Sequence, residues 1–359
     1  MSLFKVKSVD RQFYEERLKD FLPAKIFDVH THVYLEQFLP KTRKDPLRTV
    51  TWPQKVAKYN SIEGLIETYQ LLFPGKQVSA MIFSSPSIVT NVASPENLEP
   101  ANDYISQCSR QHGFPALILG LPQWSGAELE EKIVKGKFCG LKAYLNFSPT
   151  YLPRKEIRIF DFLPHHQLEV LNQHGWIVML HVPRDDRLRD PVNLAQMIEI
   201  EKRYPQVKVI IAHVGRAYCM EDIGDAFEVL ADTEKLLFDI SANTNRDVFQ
   251  ELIQAVGPQR VLFGSDLPIV RMRMRRICEN GVYINLVPKG LYGDVSGDKN
   301  MREVEHEEAQ KLTFFMYEEI DAFRHACEAT QLTRQEVEDI FYNNAIKLIE
   351  SVQLKSHES

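Results

Sequence analysis

Eight short apolar runs, set between amphipathic segments, constrain this fold more than any other feature. They are Lys25–Val29, Val78–Phe83, Ala116–Leu121, Gly140–Leu145, Trp176–His181, Val207–His213, Leu236–Ser241 and Val261–Ser265. Runs of this length and apolarity read as parallel strands buried on both faces. The segments between them carry helical spacing: Ile62–Phe73, Pro95–His112, Ser125–Lys135, Phe160–His174, Val192–Tyr204, Glu221–Leu230 and Arg246–Val256. An open doubly wound sheet would alternate in the same way. The number eight, and the lack of a Gly-rich phosphate turn after the first run, favour a closed (β/α)8 TIM barrel.

Outside the repeat the pattern is looser. Val9–Asp20 reads as a helical N-terminal extension, and Val33–Asn60, rich in Pro, Lys and Arg, as a long loop after strand one. After strand eight, an insertion begins at Leu267, and helices are expected at about Glu303–Thr330 and Thr333–Val352. Thr333-Arg334-Gln335-Glu336 is a capping-box sequence, with Phe341, Ala345 and Leu348 on one helical face. With no repeat or linker, the expectation is one domain over residues 1–359, its barrel core at about 25–270 and its C-terminal helices at 303–352.

The strand ends carry the chemistry. Active sites of such barrels are built at the C-terminal ends of the strands. His30 and His32 end strand one and, two residues apart, point to the same face. Strand four offers Lys142, strand five His181, strand six His213 and strand eight Asp266. Taken singly, each has a bland reading: a satisfied structural histidine, a solvated lysine, a helix cap before Pro268. Together they converge on one rim, where buried polar groups are costly unless paired or metal-bound. Neutral imidazoles and a carboxylate are good ligands for a divalent metal.

His30-Thr31-His32, Gly140-Leu141-Lys142, Leu180-His181, Ala212-His213-Val214-Gly215, Gly264-Ser265-Asp266-Leu267-Pro268 and Phe341-Tyr342-Asn343-Asn344-Ala345 form an ordered set. In that order they resemble the metal-dependent amidohydrolase superfamily, in the branch that includes amino-carboxymuconate-semialdehyde decarboxylase. The resemblance spans about Phe27 to Leu348. It implies that His30, His32, His181 and Asp266 bind a metal, most often zinc. It makes His213 either a ligand of a second metal or the group that activates water, and Asp266 also the proton shuttle. Lys142 sits where two-metal members carry a carboxylated, bridging lysine.

Two activities are expected from such a site. The first is hydrolysis of an amide, ester or lactone; the alternative is non-oxidative decarboxylation or hydration of an unsaturated or aromatic acid. A catalytically silent barrel is the third reading. Arg184, Arg187, Arg189, Arg216, Arg246, Arg271 and Arg273 follow the strand ends, with Asn243 and Asn245 among them. Guanidinium forks suit a small carboxylated substrate, with Arg216 and Arg271 as its candidate partners. Pairing of these arginines with Asp185, Asp186 and Asp190 is the competing explanation. Tyr34, Trp52 and Tyr144 could wall a flat substrate, or belong to the core.

Composition bounds the partners. A formal charge of −6 without a basic run argues against nucleic-acid binding. No apolar run approaches the roughly 20 residues of a membrane span. Five scattered cysteines fit reduced thiols and a cytoplasmic setting. The run Leu312–Tyr317 could cover the barrel bottom or bury a homo-oligomer interface.

Overall fold

The computed structural model describes residues 3–40, 53–89 and 95–357. Each expected run supplies a strand: β1 Lys25–His32, β2 Gln77–Phe83, β3 Leu117–Leu119, β4 Gly140–Ala143, β5 Ile177–Leu180, β6 Lys208–Ile211, β7 Leu237–Asp239 and β8 Val261–Leu262. Neighbours pair in parallel, β1 with β2 and β3 through β8 in order. Two bridges close the ring, Ile82 to Ala116 and Thr31 to Leu267. The Asp266 N–H also donates to the His30 carbonyl at 2.8 Å, and the Val29 N–H to that of Phe263 at 3.0 Å. Closure leaves the barrel without an open edge.

Local sequence explains the intervening helices. Ser61 and Ser125 cap Ile62–Leu72 and Gly126–Gly136, and Asp190 followed by Pro191 starts Pro191–Arg203. Gly140 opens β4 where an added Cβ would lie 1.9 Å from the Ile177 carbonyl oxygen, so no larger residue fits.

The strands stop earlier than expected, before His181, His213 and Asp266. Those residues leave the ladder and turn toward the barrel mouth. Ile340 and Phe341, both fully buried, close the opposite side, and Phe341 stacks on Phe263 with centroids 4.9 Å apart. Thr333 and Glu336 form the expected capping box, the Thr333 N–H donating to Glu336 at 2.7 Å.

The insertion after strand eight departs from the helical expectation. It builds a four-stranded sheet from β9 Arg273–Glu279, β10 Val282–Pro288, β11 Met301–Val304 and β12 Thr313–Phe314. Asn280 and Gly281, with φ of 51° and 73°, turn the β9–β10 hairpin as an Asn-Gly pair favours. The long helix begins only at Phe315, preceded by a short one at His306–Lys311. A buried ion pair, Arg273 to Asp10 at 2.7 Å, ties the sheet to the N-terminal extension. The reading of five reduced cysteines is corrected as well: Cys219 and Cys278 form a disulfide, while Cys108, Cys139 and Cys327 stay free and buried. Sequence spacing could not show this pair, which the fold brings together across 59 residues. No helix among the described residues is long and apolar enough to cross a membrane.

Candidate metal centre

His30, on β1, is fully buried between the rings of Phe83 and His213, with centroids 5.2 and 4.5 Å away. Its Nδ1 lies 2.9 Å from Asp239 Oδ2, and its Nε2 faces Asp266 Oδ1 at 3.6 Å and Lys142 Nζ at 3.2 Å. His32 Nδ1 donates to the Ser84 carbonyl at 3.1 Å. A carbonyl only accepts, so Nδ1 is the donor in that bond, and Nε2 faces Asp266 Oδ1 at 3.1 Å. His213 Nδ1 likewise reaches the Ser241 carbonyl at 3.2 Å. The His181 ring lies tilted against Tyr144 and edge-on to His213, with centroids 4.7 and 5.3 Å away, and its buried Nδ1 has no hydrogen-bond partner among the described residues.

Burial dominates the electrostatics. It holds His30 well below the ordinary imidazole range, helped by the Lys142 charge, and His181 likewise, helped by Arg216. Burial also brings His213 down to about 3, and Lys142 down to about 8 against the pull of Asp239 and Asp266. Near neutral pH these imidazoles are uncharged, the form in which an imidazole can bind a metal.

Among the described residues, two groups offer clustered ligand atoms: His30, His32 and Asp266, and His30, His213 and Asp239. Two atoms that each lie about 2.1 Å from a tetrahedral ion are about 3.4 Å apart. The 3.1 and 3.6 Å contacts of Asp266 bracket that spacing, so the first group fits a divalent ion. The second is already joined by hydrogen bonds, with Ser241 Oγ 2.7 Å from His213 Nδ1 and donating to Asp239. It orients the rings.

The backbone here is forced. His213, Val214, Gly215 and Arg216 all have positive φ, between 44° and 68°, and Asp266 has 66°. Non-glycine residues adopt this region at a cost, and only when their surroundings hold them there. The His213 N–H donates to Asp239 Oδ1 at 2.9 Å, which anchors the turn. A side chain at Gly215 would meet Leu188 at 2.5 Å.

Above the cluster opens a cavity of about 390 Å³ whose floor includes His32, His181, His213 and Asp266. Tyr34 and Tyr144 line it; Trp52 lies outside the described residues. Arg216 also lines it, and its Nη1 reaches the carbonyls of Val182, Pro183 and Arg184 at 3.1–3.3 Å. Arg271 does not belong to the lining. It donates to Asn60 and to the Gly64 carbonyl, bracing the end of the loop after β1. Arg184 and Arg189 pair with Asp190 and Asp186, as the competing explanation of the rim requires.

Sequence reasoning passed over Asp239 and Ser241, though a carboxylate at the end of an apolar run was the signal used for Asp266. It also missed Arg276, Tyr283 and Lys299, which reach the cavity from the inserted sheet and its loop.

Solved structures share this architecture at low identity. A 4-oxalomesaconate hydratase from Rhodopseudomonas palustris is 18% identical, covers 93% of this chain and 98% of its own, and has a TM-score of 0.54. A probable 2-pyrone-4,6-dicarboxylic acid hydrolase from Acinetobacter baumannii, with citric acid bound, is 15% identical over 90% and 99%, with a TM-score of 0.52. A dihydroxybenzoic acid decarboxylase from a Polaromonas species, with manganese and 2-nitroresorcinol bound, is 14% identical over 91% and 97%, with a TM-score of 0.53. No curated protein sequence matches significantly. The family profile described as Amidohydrolase matches residues 27–283, most of the barrel with the residues at its mouth, and this chain belongs to that family.

Proposed function

We propose that this protein is a metal-dependent hydrolase that cleaves an amide, ester or lactone bond in a small carboxylated substrate. The observation that carries the reading is one cavity with His32, His181, His213 and Asp266 at its floor and Arg216 in its wall. The hydrogen-bond partners of Arg216 are carbonyls, so its positive charge is left for a ligand.

His30, His32, His181 and Asp266 hold one ion in this reading, with zinc suited to nitrogen and oxygen donors. Lys142, 3.2 Å from His30 Nε2, then only has to turn its amine away; a second ion would require it to be carboxylated. A divalent ion there supplies a Lewis acid and lowers the pKa of water toward 7. His213, through the nitrogen not used by Ser241, accepts the proton of the attacking water. Asp266, at the cavity floor, takes the second proton of that water from the tetrahedral adduct and passes it to the leaving group as the C–N or C–O bond breaks. Arg216 orients the substrate carboxylate.

Decarboxylation or hydration of an unsaturated or aromatic acid is the second reading. It is supported by the tyrosine-walled cavity and by the hydratase and decarboxylase that share the fold. Incubating zinc-loaded protein with carboxylated lactones and amides, and separately with dihydroxybenzoates, separates the two. Ring opening or amide cleavage without CO2 release is the expected result; CO2 release alone would replace hydrolysis with the second reading.

A further inference from the structure

The inserted sheet gives the cavity a second set of cations that the barrel itself does not supply. Arg276 on β9 packs over Tyr218, Tyr283 and Phe315, its guanidinium carbon 5.1, 4.5 and 4.5 Å from the ring centroids. Its hydrogen bonds go to uncharged groups, the Ala242 carbonyl at 2.6 Å and Asn285 Oδ1 at 2.9 Å. Glu319 stands behind the same peptide, accepting the Ala242 N–H at 2.7 Å. Burial pushes its carboxyl well above the usual range, and it forms no salt bridge with Arg276 among the described residues. Lys299, exposed in the loop between β10 and β11, lines the same cavity and forms no ion pair among the described residues.

The other cations of the lining differ. Arg154 pairs with Asp185 at 3.1 Å and Arg187 with Asp222 at 2.6 Å. Arg216, Arg276 and Lys299 therefore carry the uncompensated charge. Arg216 follows β6, whereas the other two come from the insertion. The disulfide between Cys219 and Cys278 fastens the hairpin to the segment that carries Tyr218 and so holds Arg276 in place.

We propose that Arg276 and Lys299 form a second anion subsite, so that the substrate is a dicarboxylate spanning from Arg216 to the inserted sheet. This rests on the reading of a carboxylated substrate given above and narrows it. A guanidinium over aromatic rings is partly desolvated already, so an incoming carboxylate meets it with little further cost and can take a two-point bond. The exposed Lys299 amine adds attraction that salt weakens.

The test uses benzoate and isophthalate as probes, titrated calorimetrically into zinc-loaded protein. Isophthalate is expected to bind at least tenfold tighter than benzoate. Lys299→Glu, at an exposed position, should remove most of that advantage and leave benzoate affinity unchanged. Arg276→Gln should do the same, with its melting temperature confirming the fold. Equal affinities in the unaltered protein, or equal weakening of both probes by Lys299→Glu, would overturn the second subsite while leaving the carboxylate reading in place. Failure of both probes to bind would overturn the two together.

Discussion

Oδ2 of Asp239, at the end of β7, lies 2.9 Å from Nδ1 of His30 on β1, and neither side chain is exposed to solvent. The carboxylate holds the proton on Nδ1 and leaves Nε2 as the nitrogen that would bind the proposed metal. Its other oxygen accepts the His213 N–H at 2.9 Å, so one acid aligns two histidines. Groups that orient a ligand histidine typically account for 10- to 100-fold in metal affinity. Asp239→Asn is expected to weaken zinc binding by about that factor without unfolding the chain. Competition with a chromophoric chelator measures it, and unchanged affinity would remove Asp239 from this role.

Metal removal should separate the ion from the fold. Dialysis against a chelator is expected to abolish turnover, and one equivalent of zinc per chain to restore it. An ion at 100 times its Kd stabilises the native state by about 2.7 kcal/mol, so the melting temperature should rise on reloading. Two equivalents per chain would instead place Lys142 between two ions.

Asp10 and Arg273 make a test of stability alone. Both are buried, and Asp10 also accepts the Thr313 hydroxyl at 2.9 Å. Asp10→Ala leaves the Arg273 charge without its acid, at a cost of about 3–5 kcal/mol. Urea unfolding would show it as a lower midpoint, and a loss under 1 kcal/mol would mean that water replaces the carboxylate.

The disulfide can be counted. Under denaturing, non-reducing conditions, three thiols are expected to titrate, those of Cys108, Cys139 and Cys327. By loop entropy, a cross-link closing this span of 59 residues contributes about 4 kcal/mol. Cys278→Ser should lower the melting temperature by several degrees; five titrating thiols would show the pair to be open.

Glu318 gives the chain a pH dependence. Burial raises its carboxyl from 4.5 to about 7, despite Arg275 at 3.9 Å. Between those values the native state keeps a proton that the unfolded chain has released. Stability from this group is therefore complete below pH 4.5 and is lost as pH rises through 7. At about 1.4 kcal/mol per pKa unit, the loss is on the order of 3–4 kcal/mol. Glu318→Gln should flatten that part of the stability profile in urea titrations at pH 5 and pH 8. A profile parallel to the unaltered protein's would assign the slope to other groups.

The barrel was legible because burial on both faces demands uninterrupted apolar runs, and each of the eight became a strand. The inserted sheet was legible only in part. Asn280-Gly281 is a strong hairpin signal, but the charged β9 strand, with Arg273, Arg275 and Arg276, masks the apolar alternation that would confirm it. The short strands β11 and β12 carry too few residues to show any period.

At the site, the order of residue types along the chain already named His30, His32, Lys142, His181, His213 and Asp266, because strand ends in a closed barrel all face one mouth. What the sequence could not decide was partnership. Arg216 and Arg271 look alike as arginines beyond strand ends, yet one lines the cavity and the other braces Asn60 and Gly64. Asp239 joins His30, and Cys219 joins Cys278, across 209 and 59 residues. Local pattern reports which face of an element is buried; which charges meet depends on distances that exist only once the ring has closed.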